Sequence, residues 1–250
     1  MLQRLFIFLL IFLILPDIYL YLRFIVHLTA RRWLKILYWL PTFLLSTGLL
    51  YLVYFSNNAF AERHTQDIGW FSIFFFLFTA PKLLLFLCTV IGIPFHKWLR
   101  WPRTPFICTG LTLAVVSIVM IIYGSFIGRT QFDVKEVTYS SSKLPSSFDG
   151  YRIVQLSDIH IGSWQGNASA IQNLVNLVNE QHPDLIAFTG DLVNHRAIEL
   201  NDFQHILAGL KAKDGVYSIL GNHDYGPYFR WKSKQEQDDN LSDLQQRQAA

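Results

Sequence analysis

The chain has 250 residues, of which 52% are hydrophobic and 16% charged, and its formal net charge is +3. This length allows one or two domains. The averages combine two unlike halves: residues 1–129 have only Asp17, Glu62 and Asp67 as acidic residues, whereas residues 130–250 have mixed charge with a small acidic excess. Both cysteines fall in the first half, which excludes a thiolate metal site in the second. We therefore expect two domains that meet near Arg129, and no nucleic-acid partner.

The first half contains four long apolar runs, each close to the roughly 20 residues that span a bilayer. Because four such runs in one block are unusual for buried core helices, we predict transmembrane helices at about 5–22, 36–55, 68–93 and 106–127. Pro16-Asp17 interrupts the first run and Pro81-Lys82 the third, and neighbouring helices can satisfy the backbone groups that such breaks leave free. With Asp17 and Lys82 as isolated exceptions, the spans lack the polar groups of a transport path.

The loop charges indicate an orientation for these spans. Basic residues surround the first connection and fill the third, whereas the second connection, residues 56–67, has Glu62 and Asp67 against Arg63. The basic residues are Arg23, Arg31, Arg32 and Lys35 around the first connection, and Lys97, Arg100 and Arg103 in the third. Basic loops favour the cytoplasm. We therefore expect the amino terminus and the second half of the chain to lie on the other side of the membrane.

The second half alternates predicted strands with predicted helices. Residues 132–139 alternate polar and apolar side chains, as an exposed or edge strand does. After them we predict strands at 152–157, 185–189 and 216–220, helices at 168–181 and 202–213, and the start of a surface helix within 232–250. This alternation predicts a parallel sheet with right-handed crossovers. Because three strands with an uncovered edge are few for a stable enzyme domain, we expect the chain to be a fragment, truncated at its carboxyl end.

A short motif with metal-ligand side chains follows each of these three strands. The motifs are Asp158-Ile159-His160, Gly190-Asp191 and Gly221-Asn222-His223-Asp224. The carboxyl ends of parallel strands lie at one edge of a sheet, where ligands gather. Asp158 and His160, two residues apart on one side of the chain, can reach the same metal ion. The two oxygens of Asp191 can bridge two ions, and the neutral carbonyl of Asn222 suits a divalent ion.

The last motif also carries groups suited to acid–base chemistry. His223 can protonate a leaving alkoxide or stabilise its charge, and Asp224 can orient His223. Each motif alone has a simpler explanation, such as a tight turn at residues 221–224. Their order and their placement after successive strands favour a metal centre. We expect His195 to lie at the surface or just behind the metal ligands, and the aromatic run 225–231 is compatible with either packing or lipid binding.

Residues 150–229 resemble the amino-terminal part of the calcineurin-like metallophosphoesterase superfamily. Its pattern is Asp-x-His, Gly-Asp, Gly-Asn-His-Asp or Glu, a lone His and then Gly-His-x-His. The segments PDLIAFTGDLVN and VYSILGNHDYG are similar to its membrane-anchored bacterial, YkuE-like branch. The resemblance implies an α/β domain of the αββα sandwich type with two divalent ions (Mn, Fe, Zn or Co). It further implies that Asp158 and His160 bind the first ion, Asp191 bridges both, and Asn222 binds the second, while His223 acts on the leaving group.

The lone His and the Gly-His-x-His segment do not occur before Ala250, so we expect the chain as it stands to bind metal weakly and to catalyse little. For the complete protein we expect a multi-pass phosphoesterase of a bacterial inner membrane, with its catalytic domain extracytoplasmic. Its partners would be the bilayer and a phosphodiester, phosphomonoester or pyrophosphate substrate, including lipid-linked ones. The alternative is a catalytically degenerate membrane protein whose phosphoesterase-like domain binds metal or a partner.

Overall fold

The computed structural model describes residues 2–55 and 65–249. It divides into two compact units, Met1–Gln131 and Phe132–Ala250, next to the boundary predicted between residues 129 and 130. Most of the predicted second connection, residues 56–67, lies outside the described residues.

The first unit is a four-span apolar helical region. Helix α1 is Leu2–Leu20, which the π-helix Tyr21–Ile25 and a last turn, Val26–Leu28, extend; α2 is Arg32–Phe55, α3 is Thr65–Leu99 and α4 is Thr104–Phe126. All four are long and apolar enough to cross a membrane, by length and composition. Large apolar side chains such as Phe43 and Met120 are exposed on their surfaces. Helices that are hydrophobic all round are typical of membrane spans.

The two interruptions in the apolar runs meet inside this unit. The Asp17 side chain is fully buried, and the Nζ atom of Lys82 lies 2.8 Å from its Oδ1 atom. The Tyr38 hydroxyl donates to Asp17 Oδ1 at 3.2 Å, and the Thr42 hydroxyl donates to Oδ2. Asp17 and Lys82, the two exceptions noted in the predicted spans, thus form an ion pair, and the buried carboxylate has two further donors. Ionisable groups within spans are normally paired in this way.

The second unit contains a small parallel sheet. Its strands are β1 (Ile153–Leu156), β2 (Leu185–Phe188) and β3 (Val216–Ser218), in the order β1-β2-β3. Leu156 pairs with Phe188, and Phe188 pairs with Ser218, so the three strands end at the same edge. The helices are α5 (Ala168–Glu180), α6 (Gln204–Leu207) and α7 (Lys234–Ala249). The predicted parallel sheet is thereby confirmed.

The core of this unit lies on one face of the sheet. Phe188 packs there with Ile171 and Val175 of α5, and Leu244 of α7 is buried in the same cluster. On the other face, Ile153 of β1 remains 59% exposed. The residues that the structure describes form this one sheet. The second sheet of an αββα sandwich therefore stays an expectation from the resemblance.

Two predicted elements differ from the structure. Residues 132–139 form no strand in the part of the chain that the structure describes; Val137 is 91% exposed, so burial does not favour pairing there. The helix predicted at 202–213 is the single turn of α6. After it, the Asn179 side chain donates to Gly209 O and accepts from Lys211 N, both at 2.8 Å. These bonds hold the chain in a non-helical path, as side-chain amides that compete with helix formation do.

Candidate metal centre

The loop after β1 is held against the loop after β2 by backbone hydrogen bonds. Asp158 N donates to Gly190 O and His160 N donates to Asp191 O, both at 3.0 Å. Asp158, His160 and Asp191 all have positive φ angles, of 55°, 47° and 58°. Such left-handed conformations cost roughly 1–3 kcal/mol each and persist where surrounding contacts determine them. Three of the predicted ligand residues thus sit in strained but well-braced backbone.

Two glycines allow the loops after β2 and β3 to touch. A Cβ atom added to Gly190, whose φ is +106°, would lie 2.5 Å from Gly221 N, and one added to Gly221 would overlap the Asp191 carboxylate. Any side chain at either position would push the loops apart. Glycine is therefore needed at positions 190 and 221 so that the two loops can approach each other, as well as for its backbone freedom.

The structure brings His160, Asp191 and His223 together at the carboxyl ends of the strands. Their ligand atoms all lie within 4.8 Å of one another. His160 Nε2 is 3.9 Å from Asp158 Oδ1 and also 3.9 Å from Asp191 Oδ2. These distances are too long for hydrogen bonds, but they suit a shared ion, since metal–ligand bonds of about 2.0–2.2 Å separate two ligands by roughly 3–4 Å. The imidazole and carboxylate donors present fit a divalent cation.

His223 is oriented by the loop after β2. Its backbone N donates to Asp191 Oδ1 at 2.8 Å, and its Nδ1 atom lies 2.8 Å from Asn194 O. A carbonyl only accepts, so Nδ1 carries the hydrogen and Nε2 is the nitrogen that can exchange a proton. The ring meets His160 edge-on at a centroid distance of 4.6 Å and Tyr228 at 4.6 Å. His195, expected near the ligands, stacks on the same ring at 6.1 Å.

Asp224 braces the backbone that carries Asp191. It is 0% exposed. Its Oδ2 atom accepts hydrogen bonds from Asp191 N at 2.8 Å and Gly221 N at 2.9 Å, and its Oδ1 atom accepts from Val193 N at 3.1 Å. These three bonds join the loops after β2 and β3. The expectation that Asp224 orients the His223 side chain stays a prediction.

The remaining predicted ligands, Asp158 and Asn222, are both exposed. The Asp158 side chain is 66% exposed, and Asn222 Nδ2 donates to the Tyr228 hydroxyl at 3.2 Å. This bond assigns the Asn222 amide nitrogen to Tyr228 and leaves the carbonyl oxygen available as a ligand. The metal roles of Asp158, His160, Asp191 and Asn222 stay predictions, as do the catalytic roles of His223 and Asp224.

Sequence reasoning missed Glu199, which shapes the loop behind His223. Its carboxylate accepts hydrogen bonds from the backbone N of Asn194 at 2.6 Å, His195 at 3.0 Å and Arg196 at 3.1 Å. Burial raises the pKa of Glu199, while these backbone hydrogen bonds act to lower it. Glu199 is the third residue after Arg196 at the start of a helical turn, the spacing of a capping box, but arginine replaces the Ser, Thr, Asp or Asn that marks such a box in a sequence.

A four-span helical region, followed by a small parallel-sheet domain with a His and Asp cluster, defines a membrane-anchored metallophosphoesterase. Comparison with protein families agrees. The family described as "Probable Calcineurin-like phosphoesterase, transmembrane domain" matches residues 3–129, and the family "Calcineurin-like phosphoesterase" matches residues 151–247. The chain therefore belongs to the calcineurin-like phosphoesterases that carry a four-helix transmembrane domain, a family of hydrolases that act on phosphate esters.

Three curated relatives have related descriptions. The chain is 36% identical over 111 residues (44% of this chain, 25% of the relative) to "Transmembrane protein with metallophosphoesterase domain" of Danio rerio. It is 34% identical over 112 residues (42% and 37%) to "Uncharacterized metallophosphoesterase YkuE" of Bacillus subtilis. It is 30% identical over 129 residues (49% and 39%) to "UDP-2,3-diacylglucosamine pyrophosphatase LpxG" of Chlamydia trachomatis. The chain spans less than half the length of each of these relatives. No solved structure matches it significantly.

Proposed function

We propose that the complete protein hydrolyses phosphodiester, phosphomonoester or pyrophosphate bonds with two divalent cations held by Asp158, His160, Asp191 and Asn222. The observation that carries this proposal is the cluster of His160, Asp191 and His223, with ligand atoms within 4.8 Å. It lies at the carboxyl ends of the parallel strands, where ligands bind in such sheets. Paired divalent ions would supply an activated water and neutralise charge on the phosphate.

The protein groups would divide the remaining work. Asp191 presents Oδ2 towards His160 while Oδ1 holds the His223 backbone, so one carboxylate ties the ligand cluster to the acid–base residue. His223, with Nδ1–H directed to Asn194 O, would offer its Nε2–H to the leaving oxygen when the ring is protonated. Tyr228 packs on the His223 ring and bonds Asn222, and it would keep both side chains in position.

Lipid-linked phosphate esters or pyrophosphates are the substrate class that the architecture favours. A four-span anchor concentrates the site at a bilayer, where such substrates reside. The Chlamydia trachomatis relative is described as a UDP-2,3-diacylglucosamine pyrophosphatase, which is a lipid-linked pyrophosphate chemistry. We propose that the substrate here also has a phosphoryl group attached to a lipid.

Hydrolysis of bis-p-nitrophenyl phosphate by the full-length protein with Mn²⁺ tests the proposed activity. The sharpest variant is Asp158→Asn, because Asp158 is mostly exposed and asparagine tolerates its left-handed backbone. We expect this variant to fold like the wild type but to lose Mn²⁺ affinity and turnover, and Asp191→Ala to lose turnover. Asp238→Asn, an exposed carboxylate on α7, is the matched control. Wild-type turnover by Asp158→Asn and Asp191→Ala would remove the proposal, and Mn²⁺ binding without turnover in the wild type would favour the binding-module alternative.

We further propose that the protein resides in a bacterial inner membrane, with the phosphoesterase unit on the extracytoplasmic side. Support comes from the basic first and third connections and from the even number of spans. Alkaline phosphatase folds actively only outside the cytoplasm, so a fusion after residue 130 should be active and a fusion after residue 30 inactive. The reverse pattern would overturn the orientation.

A further inference from the structure

A small cavity with two arginines lies inside the membrane unit. Its volume is about 170 Å³, and α1 with its π-helix, α3 and the start of α4 all contribute to its wall. Since one water occupies about 30 Å³ in the liquid, the cavity is large enough for a group such as a phosphate. Arg23 and Arg103 both line it. The cavity belongs entirely to the first unit and is separate from the candidate metal centre.

The positive charge of this cavity is not neutralised by the protein segments that the structure describes. Asp17 is engaged by Lys82, and within residues 2–55 and 65–249 no carboxylate pairs with Arg23 or Arg103. Arg23 instead lies over the Phe24 ring, 5.4 Å from its centroid. Arg23 and Arg103 are both exposed, and two cations that line one cavity repel each other unless an anion lies between them. A phosphate, which accepts charge-assisted and bidentate bonds from guanidinium groups, is the anion that arginine suits best.

The position of the cavity along the helices places it at the level of lipid headgroups. Arg23 lies in the π-helix, shortly before the last turn that follows it ends at Leu28, and Arg103 directly precedes α4. Long basic side chains near helix ends extend to the membrane interface. Helix α4 then runs 23 residues to Phe126, about 34 Å at 1.5 Å per residue, which is about one hydrocarbon thickness. The cavity is therefore at the end of α4 opposite to the one from which the chain enters the phosphoesterase unit.

The remaining walls are suited to a lipid rather than to a free anion. Phe24 and Phe106 contribute aromatic surface, and Ile93 lines the cavity while 42% exposed. Gly92 lets the Phe106 ring approach closely, because a Cβ atom there would lie 2.8 Å from Phe106 Cγ. The polar end of the cavity thus continues into apolar side chains on the outside of the helices. Basic pockets between spans commonly bind anionic lipid headgroups.

We propose that this cavity binds the phosphate of an anionic phospholipid, with Arg23 and Arg103 as donors and with Phe24 and Ile93 against its first acyl carbons. The site lies in the leaflet where the first and third connections emerge. It neither uses nor requires the phosphoesterase chemistry. Its occupant would neutralise the two arginines and join α1, α3 and α4.

Native mass spectrometry of the full-length protein in neutral detergent, with equimolar phosphatidylglycerol and phosphatidylcholine, tests this site. We expect the wild type to retain one phosphatidylglycerol, and the double variant Arg23→Gln/Arg103→Gln to bind it about ten-fold more weakly or worse, because two charge-assisted donors are lost. The double variant Arg31→Gln/Arg32→Gln makes the same charge change in the first connection, outside the cavity wall, and should bind like the wild type. Added inorganic phosphate should not displace the lipid.

The single variants Arg23→Lys and Arg103→Lys guard against misfolding of the double variant. Each keeps the charge but removes the planar fork of donors, so each should weaken phosphatidylglycerol retention in folded protein. Undiminished retention in the folded cavity variants would overturn the proposal. So would an equal loss in the Arg31→Gln/Arg32→Gln control, equal retention of phosphatidylcholine, or displacement by inorganic phosphate.

Discussion

Replacing Asp224 with asparagine distinguishes a structural brace from a catalytic partner of His223. The change conserves shape but converts one carboxylate oxygen into an NH₂ group. In the structure, Oδ2 accepts from Asp191 N and Gly221 N, whereas Oδ1 accepts from Val193 N alone. The asparagine oxygen will therefore occupy the Oδ2 position, where it keeps two bonds. The new NH₂ group will face the Val193 N–H, and two donors will oppose each other in a fully buried site.

The expected loss follows from these contacts. A hydrogen bond to a charged group contributes about 1.5–3 kcal/mol, and a buried donor left without an acceptor costs about 1–3 kcal/mol. Together they give a loss of about 2.5–6 kcal/mol in the free energy of local opening. Since each 1.4 kcal/mol is ten-fold, amide hydrogen exchange in the loop after β2 should become roughly 60- to 20,000-fold faster.

Hydrogen exchange of peptides that cover residues 188–194 in the full-length protein is the appropriate assay, because it reports on this loop and not on the membrane unit. Asp238→Asn is the control, since it removes an exposed ion pair with Lys234 that contributes less than about 1 kcal/mol. If Asp224 acts as a structural brace, Asp224→Asn should show both faster hydrogen exchange and weaker metal binding than the wild type. If Asp224→Asn exchanged like the wild type while its turnover fell, Asp224 would act on His223 and the structural explanation would be wrong.

Three further outcomes test other contacts. Burial raises the pKa of Glu199. The stability that this carboxyl contributes is therefore fully present below its unfolded pKa of about 4.3 and is lost as pH rises through the higher folded pKa. Glu199→Gln should remove this part of the pH dependence of the melting temperature, and a profile identical to that of the wild type would contradict this prediction. Lys82→Met leaves buried Asp17 unpaired and should cost about 3–5 kcal/mol in detergent melts, whereas Asp17→Asn added to it should restore part of that loss; additive losses would argue against coupling. The hydrogen bond to Asp214 raises the pKa of Tyr151 to about 12, so Asp214→Asn should return it towards 10 in a difference titration against Tyr151→Phe, and no change would refute this cause.

The parallel sheet and the placement of the three motifs after its strands could be predicted because both depend on short-range patterns. Apolar runs of strand length, separated by amphipathic helices, are sufficient to predict a parallel sheet. The carboxyl ends of its strands then bring Asp158 and Asp191 close, and the structure has these residues beside His160. The four apolar runs predicted the helical membrane region for the same reason, since length and hydrophobicity alone determine whether a helix can span.

Long-range polar contacts could not be predicted in this way. Asp17 and Lys82 are 65 positions apart, and Asp224 binds Asp191 N from 33 positions away; neither distance leaves a periodic signal. The helix at 202–213 was overestimated because the competing bonds come from Asn179 on a different element. From the sequence alone, polar side chains at such positions are predicted to lie at the surface or in turns. Their hydrogen-bond partners become apparent only in the tertiary structure.

Hydrogen bonds to the buried Asp224 carboxylate help to hold the left-handed backbone of the predicted ligands in place. Asp158, His160 and Asp191 adopt left-handed conformations that would relax without opposing contacts, and Asp224 supplies such contacts at Asp191 and Gly221. The contacts that position these predicted ligands are therefore made within the protein itself. Two variants should separate geometry from ligation: Asp158→Asn removes the charge of a proposed ligand from loops that stay closed, whereas Asp224→Asn opens the loops with every proposed metal ligand still present.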